Sequence, residues 1–197
     1  LTPSMNLANN KIIIIAAPSG SGKTSVVRHL LHVMPDQLAF SISAATRSPR
    51  NNEKDGVDYY FISVAAFEEK IAQDAFVEWE MVYEGKYYGT LKAETERIWA
   101  SGRFPLLDVD VQGGLHVQKK FPGQTLSLFI EPPSIEELEK RLRKRGTETE
   151  ESLQARVNKA AYELTFKHQF DHVILNDQLS RACTEAENII RDFLRNA

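Results

Sequence analysis

The sequence is poor in cysteine and has no long apolar runs. Cys183 is its single cysteine among 197 residues, so no disulfide framework can form within the chain. That suits a reducing compartment, and we expect the protein to work in the cytoplasm. No apolar run approaches the ~20 residues of a membrane-spanning helix, and the N-terminus lacks a charged-then-apolar export signal. The composition therefore predicts a soluble protein with no membrane partner.

An excess of charge of one sign is also missing. The chain has 24 Lys and Arg against 27 Asp and Glu, which gives a formal net charge of −3. Such a balance provides no general attraction to nucleic acid, so any anion-binding site must be local. The five histidines show no metal-ligand spacing. A hydrophobic content of 42% is enough for one good core with small inserted lobes.

What the sequence does contain is an apolar run that leads into a glycine-rich turn, KIIIIAAPSGSGKTSVVRHLL, at residues 11–31. The pattern predicts a strand, a phosphate-binding loop and a helix. Glycine backbones let successive amides converge on phosphate, Lys23 adds positive charge, and the hydroxyl of Thr24 is placed to bind Mg²⁺. Ala17 replaces the first glycine of the general Walker A pattern. The alternative interpretation of this segment is a glycine-serine turn that only joins two core elements. The predicted ATP-binding loop comprises Ala17, Pro18, Ser19, Gly20, Ser21, Gly22, Lys23, Thr24 and Ser25.

Two aspartates mark the end of the apolar strand predicted at residues 104–109, where the sequence reads Asp108-Val109-Asp110. An aspartate at the end of a buried strand is costly unless a positive group lies against it. In phosphate-loop proteins that group is usually magnesium, so Asp108 is the candidate metal ligand. The alternative is that Asp108 caps or precedes the helix predicted at residues 112–120.

Strands and helices alternate along the rest of the chain, which predicts an α/β fold. We expect a P-loop parallel sheet core flanked by helices, with an inserted mixed α/β lobe and a helical lid. The inserted block has antiparallel character, with a hairpin turn at Glu84-Gly85, and the lid begins at the capping box Ser134-Ile135-Glu136-Glu137. The predicted units are a core of residues 5–40, 91–133 and 167–197, a lobe of residues 41–90 and a lid of residues 134–166.

Two groups of arginines could serve phosphoryl transfer. Arg47 and Arg50 lie in a loop beside Tyr59 and could hold a phosphate monoester. Arg141 and Arg145 share one helical face, and with Arg156 on the next helix they could be brought to a transferring phosphoryl group by lid closure. The alternative for the second group is a solvated helix face balanced by glutamates.

The inserted lobe also contains a candidate base reader. Guanine presents a ring N–H and an amine that both need acceptors, and a carbonyl that needs donors. Glu78, Ser43 and Thr90 fall at strand ends in this lobe and could supply these groups. Because glutamates on exposed strands are common, the grouping alone leaves the base open.

Several segments, in this order and spacing, resemble guanylate kinase over the chain from about residue 11: FSISAATRSPR, DGVDYYF, FVEWEMVYEGKYYGT, LLDVDVQG, RLRKRGTETEES and VILND. The resemblance implies transfer of the terminal phosphoryl group of ATP to GMP with Mg²⁺, and a GMP-binding lobe and a lid that close on these two substrates. For GMP it implies guanine contacts from Ser43, Glu78, Thr90 and Asp110 and phosphate contacts from Arg47, Arg50, Tyr59 and Tyr88. For ATP it implies Lys23, Thr24 and Asp108 at the triphosphate and magnesium, and Asn176 at the adenine. The residues expected to act in the transfer itself are Lys23, Arg47, Arg141, Arg145 and Arg156.

Three other functions are alternatives to this one. A non-catalytic scaffold with the same fold is disfavoured by the intact Lys23, Thr24 and Asp108. A GTP-hydrolysing switch would match D-x-x-G at residues 110–113, but the sequence has no N-K-x-D guanine-reading motif. A kinase for another phosphorylated acceptor is disfavoured by the candidate base reader. The sequence leaves a monomer and a homo-oligomer equally open.

Overall fold

The computed structural model describes residues 10–50, 52–144 and 149–195. Its elements alternate between strands and helices, as the sequence predicts. In chain order they are β1 (Ile12–Ala16), α1 (Lys23–Val33), β2 (Leu38–Phe40), β3 (Ser43–Ala45), β4 (Tyr59–Phe61), α2 (Val64–Ala72), β5 (Phe76–Tyr83), β6 (Lys86–Leu91), α3 (Lys92–Ala100), β7 (Phe104–Val109), α4 (Val111–Lys120), β8 (Thr125–Glu131), α5 (Ile135–Lys144), α6 (Glu150–Leu164), a 3-10 turn (Lys167–Gln169), β9 (His172–Leu175) and α7 (Leu179–Arg195). None of the described helices combines the length and the apolarity of a membrane span.

The core is a parallel sheet in the order β2-β7-β1-β8-β9. Strand alternation sends Ile13 and Ile15 of β1 into the cluster that α1 and α7 cover, and Ile12 and Ile14 into the cluster on the opposite face. Parallel strands end at the same edge, and Ala16 of β1 is in register with Val109 of β7. The phosphate loop after β1 therefore lies beside the acidic residues that end β7. The predicted α/β fold class is confirmed.

The inserted block forms a second sheet in the order β4-β3-β6-β5. The sheet is mixed, because β3 and β4 are parallel while β6 is antiparallel to both β3 and β5. Residues 38–43 alternate in the sequence between apolar and smaller polar residues, a pattern that predicts one strand, but they belong to two strands in two sheets. Ser41 N–H still bonds to the carbonyl of Leu106 in the core, whereas Ile42 N–H donates to the carboxylate of Glu94. The buried carboxylate of Glu94 thus ends the pairing with the core sheet, and the chain crosses to the second sheet.

The two helices α5 and α6 share a small apolar core of their own. The side chains that form it are buried, and they are Leu138, Leu142, Leu153, Val157 and Ala160. Leu138 and Leu142 also lie against the phosphate loop, since a Cβ built on Gly20 would be 3.1 Å from Leu142 Cγ and 3.3 Å from Leu138 Cγ. The helix pair therefore rests on the loop. The expected cap is present, because Ser134 Oγ accepts a 3.1 Å hydrogen bond from Glu137 N–H.

Candidate active site

The loop between β1 and α1 has the backbone geometry of an anion-binding turn. Gly20 and Gly22 have φ angles of 92° and 89°, a region that residues with a Cβ rarely adopt. Helix α1 begins at Lys23, so its N-terminal amides and dipole point at the loop. A cavity of about 250 Å³ opens there, bordered by Ala17, Pro18, Ser19, Gly20, Gly22, Lys23, Thr24, Asp110, Arg156, Lys159 and Glu163. Of the remaining predicted loop residues, Ser21 is buried and Ser25 is exposed in the first turn of α1.

Lys23 is held at the edge of the core sheet. Its Nζ lies 2.5 Å from Asp108 Oδ1 and donates to the Val109 carbonyl at 2.7 Å. Burial lowers the pKa of Lys23, but the charge and hydrogen bond of Asp108 outweigh it, so the pKa is raised and the ammonium stays charged. The positive partner that the sequence demanded for Asp108 is therefore, in this structure, Lys23.

The helix-capping role that the sequence leaves open for Asp108 is performed by Asp110. Asp110 is the N-cap of α4, and its Oδ1 accepts a 2.7 Å hydrogen bond from Gly113 N–H. A Cβ on Gly113 would lie 2.9 Å from Asp110 Oδ1 and 3.1 Å from Glu78 Oε2. Asp110 and Glu78 thus converge over a helix N-terminus that has no room for a side chain.

A second cavity, of about 280 Å³, lies between the core and the second sheet. All the residues predicted to bind GMP border it except Thr90. These are Ser43, Arg47, Arg50, Tyr59, Glu78, Tyr88 and Asp110. The structure therefore brings together, around one cavity, side chains that lie as far apart in the sequence as Ser43 and Asp110.

Arg47 lies at the basic end of this cavity and is tightly paired. Its guanidinium donates to both carboxylate oxygens of Glu53, at 2.5 and 2.8 Å, and its Nε donates to Tyr88 Oη at 3.0 Å. It also stacks on the ring of Tyr59, 5.0 Å from the centroid. The hydrogen bonds from Arg47 lower the pKa of Glu53 to about 2. Glu53 therefore occupies the bidentate donor pair that a phosphate monoester would use.

Glu78 lies at the acidic end. Its Oε1 accepts hydrogen bonds from Thr90 Oγ1 at 2.7 Å and from Thr90 N–H at 3.1 Å. Burial raises the pKa of Glu78 to about 7, although these two bonds act in the opposite direction. Thr90 is buried and orients Glu78, which is why it does not itself border the cavity.

The residues predicted on or near the lid separate into two groups. Arg156 borders the first cavity and donates from Nη1 to Ser19 Oγ at 3.0 Å. Arg141 and Asn176 border neither cavity: Arg141 Nη2 donates to the Asn176 carbonyl at 3.2 Å, and Asn176 Nδ2 donates to the Ser21 carbonyl at 2.7 Å. Asn176 therefore contacts the phosphate loop directly, and Arg141 contacts Asn176. Arg145 lies outside the described residues.

A family model, curated relatives and a solved structure all relate this chain to the same family. A family model described as guanylate kinase matches residues 9–193. The chain belongs to the guanylate kinase family. A guanylate kinase of Bacteroides fragilis is 49% identical over 184 residues, which cover 93% of this chain and 90% of that protein. One of Chlorobium chlorochromatii is 46% identical over 186 residues, 94% of this chain and 97% of that protein. The crystal structure of guanylate kinase from Anaplasma phagocytophilum aligns with a TM-score of 0.73 at 28% identity, over 94% of this chain and 86% of that one. Guanylate kinases are ATP:GMP phosphotransferases.

Sequence reasoning missed three charged residues of this guanylate kinase cleft. Glu80 borders the second cavity, Glu163 the first, and Lys159 both. A hydrogen bond shared with Asp110, together with burial, raises the pKa of Glu80 to about 8. Two simple signals could have found them. Glu80 follows Glu78 by two residues on a strand, and Lys159 and Glu163 follow Arg156 by three and seven residues on a helix.

The contact between Gly22 and Asn176 gives a testable result. A Cβ at residue 22 would overlap Asn176 Nδ2, which is buried and bonded to the loop. With the positive φ as well, Gly22→Ala is expected to lower the free energy of unfolding by about 2–4 kcal/mol. Gly123→Ala is the matched control in denaturant unfolding, because Gly123 has a φ of 76° and open space around its Cβ position. Equal destabilisation of both variants would contradict the contact.

Proposed function

We propose that this chain transfers the terminal phosphoryl group of ATP to GMP, giving ADP and GDP. The observation that carries the proposal is the junction of two cavities, which share Lys23 and Asp110 in their borders. The first has a phosphate loop at its base. The second has a buried carboxylate at one end and two arginines at the other. A triphosphate in the first and a nucleoside monophosphate in the second would meet at this junction.

The hydrogen-bonding groups of the second cavity are complementary to those of GMP. Glu78, fixed by Thr90, offers the acceptor oxygens that the N–H groups of guanine need, with Ser43 and Asp110 beside it. Arg47, Arg50, Tyr59 and Tyr88 offer donors to the phosphate. Binding would move the Arg47 guanidinium from Glu53 to the phosphate, so an internal carboxylate holds the donors ready before GMP arrives.

The donor set at the loop fits Mg²⁺. Thr24 provides a hydroxyl and Asp108 a carboxylate, both hard oxygen ligands. Within residues 10–50, 52–144 and 149–195 no group of three or more His, Cys, Asp or Glu side chains could hold a metal. Two protein oxygens suit an ion whose other ligands are water and phosphate, so Thr24 and Asp108 would hold Mg²⁺ brought with ATP. The bound ion would supply neutralisation of phosphate charge.

The protein contributes positioning and charge to the transfer. Lys23, released from Asp108, would bind phosphate oxygens of ATP, and Arg156, which now contacts Ser19, would reach the same region from the lid. Residues 134–166 act as the lid and residues 41–90 as the GMP lobe, and their closure would keep water from the phosphoryl group. No general base is required, because a phosphate monoester is largely dianionic near neutral pH.

The test is an assay of ADP release with magnesium-ATP and GMP, AMP, CMP, UMP or no acceptor. ADP release with GMP alone is the expected result. Release at the same rate without any acceptor would show a nucleotide hydrolase. A folded sample that binds GMP and releases no ADP would show a non-catalytic scaffold.

A further inference from the structure

One lid side chain lies where the two cavities join. Among the described residues that border the cavities, Lys23, Asp110 and Lys159 border both. Lys23 comes from the phosphate loop and Asp110 from the end of β7, whereas Lys159 comes from α6. Any group that passes from the first cavity to the second must cross this junction, so Lys159 brings an ammonium group from the lid to the path of transfer.

The position of Lys159 is set by its own helix. Glu163 follows it by one turn, and Lys159 Nζ lies 3.6 Å from Glu163 Oε1. This distance is too long for a hydrogen bond, so the ion pair orients the ammonium group and leaves its N–H donors for another acceptor. Glu163 is buried, and burial raises the pKa of its carboxyl group. With Arg156 three residues earlier, the helix presents two cations and one anchoring carboxylate on one face.

The charges around the junction explain why a further cation is needed there. Carboxyl groups border both cavities: Glu78, Glu80, Asp108 and Asp110 the second, and Asp110 and Glu163 the first. Each bordering arginine touches only one cavity, Arg47 and Arg50 the second and Arg156 the first, so none of them borders the junction. Lys23, once released from Asp108, would be occupied by phosphate oxygens of ATP. A phosphoryl group with three charged oxygens would therefore enter a region rich in carboxyl groups, where an added positive charge lowers the barrier to transfer.

We propose that Lys159 is a further catalytic residue, whose ammonium group binds the phosphoryl oxygens as the group crosses between the cavities. This rests on the proposed function. An oxygen of the GMP phosphate donates an electron pair to the terminal phosphorus of ATP. The bond from that phosphorus to the bridging oxygen breaks, and its electron pair leaves with ADP. Lys159 keeps its protons throughout and acts only through charge and hydrogen bonds.

The test compares Lys159→Met, which removes the charge at similar length, with Lys159→Arg, which keeps it. Lys140→Met is the matched control, because Lys140 is an exposed lid lysine that borders neither cavity. Lys159→Met is expected to lower kcat at least about tenfold. Its dissociation constants for ATP and GMP, measured separately by fluorescence titration, should stay within about twofold of wild type. Lys159→Arg should keep most of the rate, and Lys140→Met all of it.

A purely structural role makes a different prediction. If Lys159 only neutralised the buried Glu163, Lys159→Met combined with Glu163→Gln would regain the turnover of Glu163→Gln alone, and that result would overturn the proposal. The proposal is supported if the double variant stays slow while its melting temperature recovers. Wild-type turnover in Lys159→Met would also overturn this proposal while leaving the kinase function intact. A wild-type chain inactive with GMP would overturn both.

Discussion

Lys23→Ala is expected to lower kcat about a hundred- to a thousandfold with every acceptor. The wild-type ammonium group is fixed by the Asp108 carboxylate and the Val109 carbonyl at the edge of the core sheet, and it borders both cavities. Its removal takes away a positive charge at the place where phosphate charge must shift. It also removes a cation that would bind phosphate oxygens of ATP, so binding of ATP should weaken as well. ADP release with GMP in excess measures the first effect, and the KM for ATP measures the second.

The matched control is Lys92→Ala, which also removes a lysine from an ion pair, here with exposed Asp74. Its turnover should equal that of the wild type, because the Lys92 side chain borders neither cavity. A Lys23→Ala variant that keeps more than a tenth of wild-type kcat would contradict the role given to this lysine.

The parts of this site that sequence could predict are those whose chemistry is local in the chain. The phosphate loop is one continuous segment in which glycine, lysine and hydroxyl positions are fixed by neighbouring residues. Strand β7 matches its predicted bounds, because a buried strand in a parallel sheet is a plain apolar run. The sequence also predicts that the phosphate loop lies beside the end of β7, since adjacent parallel strands end at one edge of the sheet.

The parts that sequence missed depend on distant contacts. Residues 38–43 alternate like a single strand, and only the acceptor provided by Glu94 shows where the chain leaves the core sheet. Asp108 and Asp110 look equivalent in sequence, yet Lys23 approaches the first and the amide of Gly113 the second. The hydroxyl of Thr90 donates a hydrogen bond to Glu78 on the neighbouring strand, a contact that the sequence around Thr90 does not show. In each case a partner elsewhere in the chain determines the role of the residue.

Glu78→Gln is expected to raise the KM for GMP about five- to a hundredfold and to leave the KM for ATP nearly unchanged. The carboxylate is buried and oriented by Thr90, so its remaining lone pairs face the second cavity. The amide of glutamine can offer only one oxygen, and its NH₂ group would oppose the donors of guanine. Glu84→Gln, at an exposed turn of the same lobe, is the matched control. Equal KM values for GMP in the two variants would contradict the role of Glu78 as base reader.

The pH dependence of Glu78 supplies a second, more demanding test, because its two consequences have opposite signs. Burial raises the pKa of Glu78 from 4.5 to about 7 in the folded, unliganded protein, so folding favours the protonated form. Its contribution to stability is therefore complete below pH 4.5 and is lost as the pH rises to about 7. Guanine needs the ionised form as acceptor, so GMP affinity should increase over pH 6 to 8 while the melting temperature of the free protein falls. Glu78→Gln should reduce the pH dependence of both GMP affinity and the melting temperature. The dependence that remains in GMP affinity comes from ionisation of the GMP phosphate, and that in the melting temperature comes from Glu80. Parallel slopes in wild type and variant would show that Glu78 does not titrate in this range.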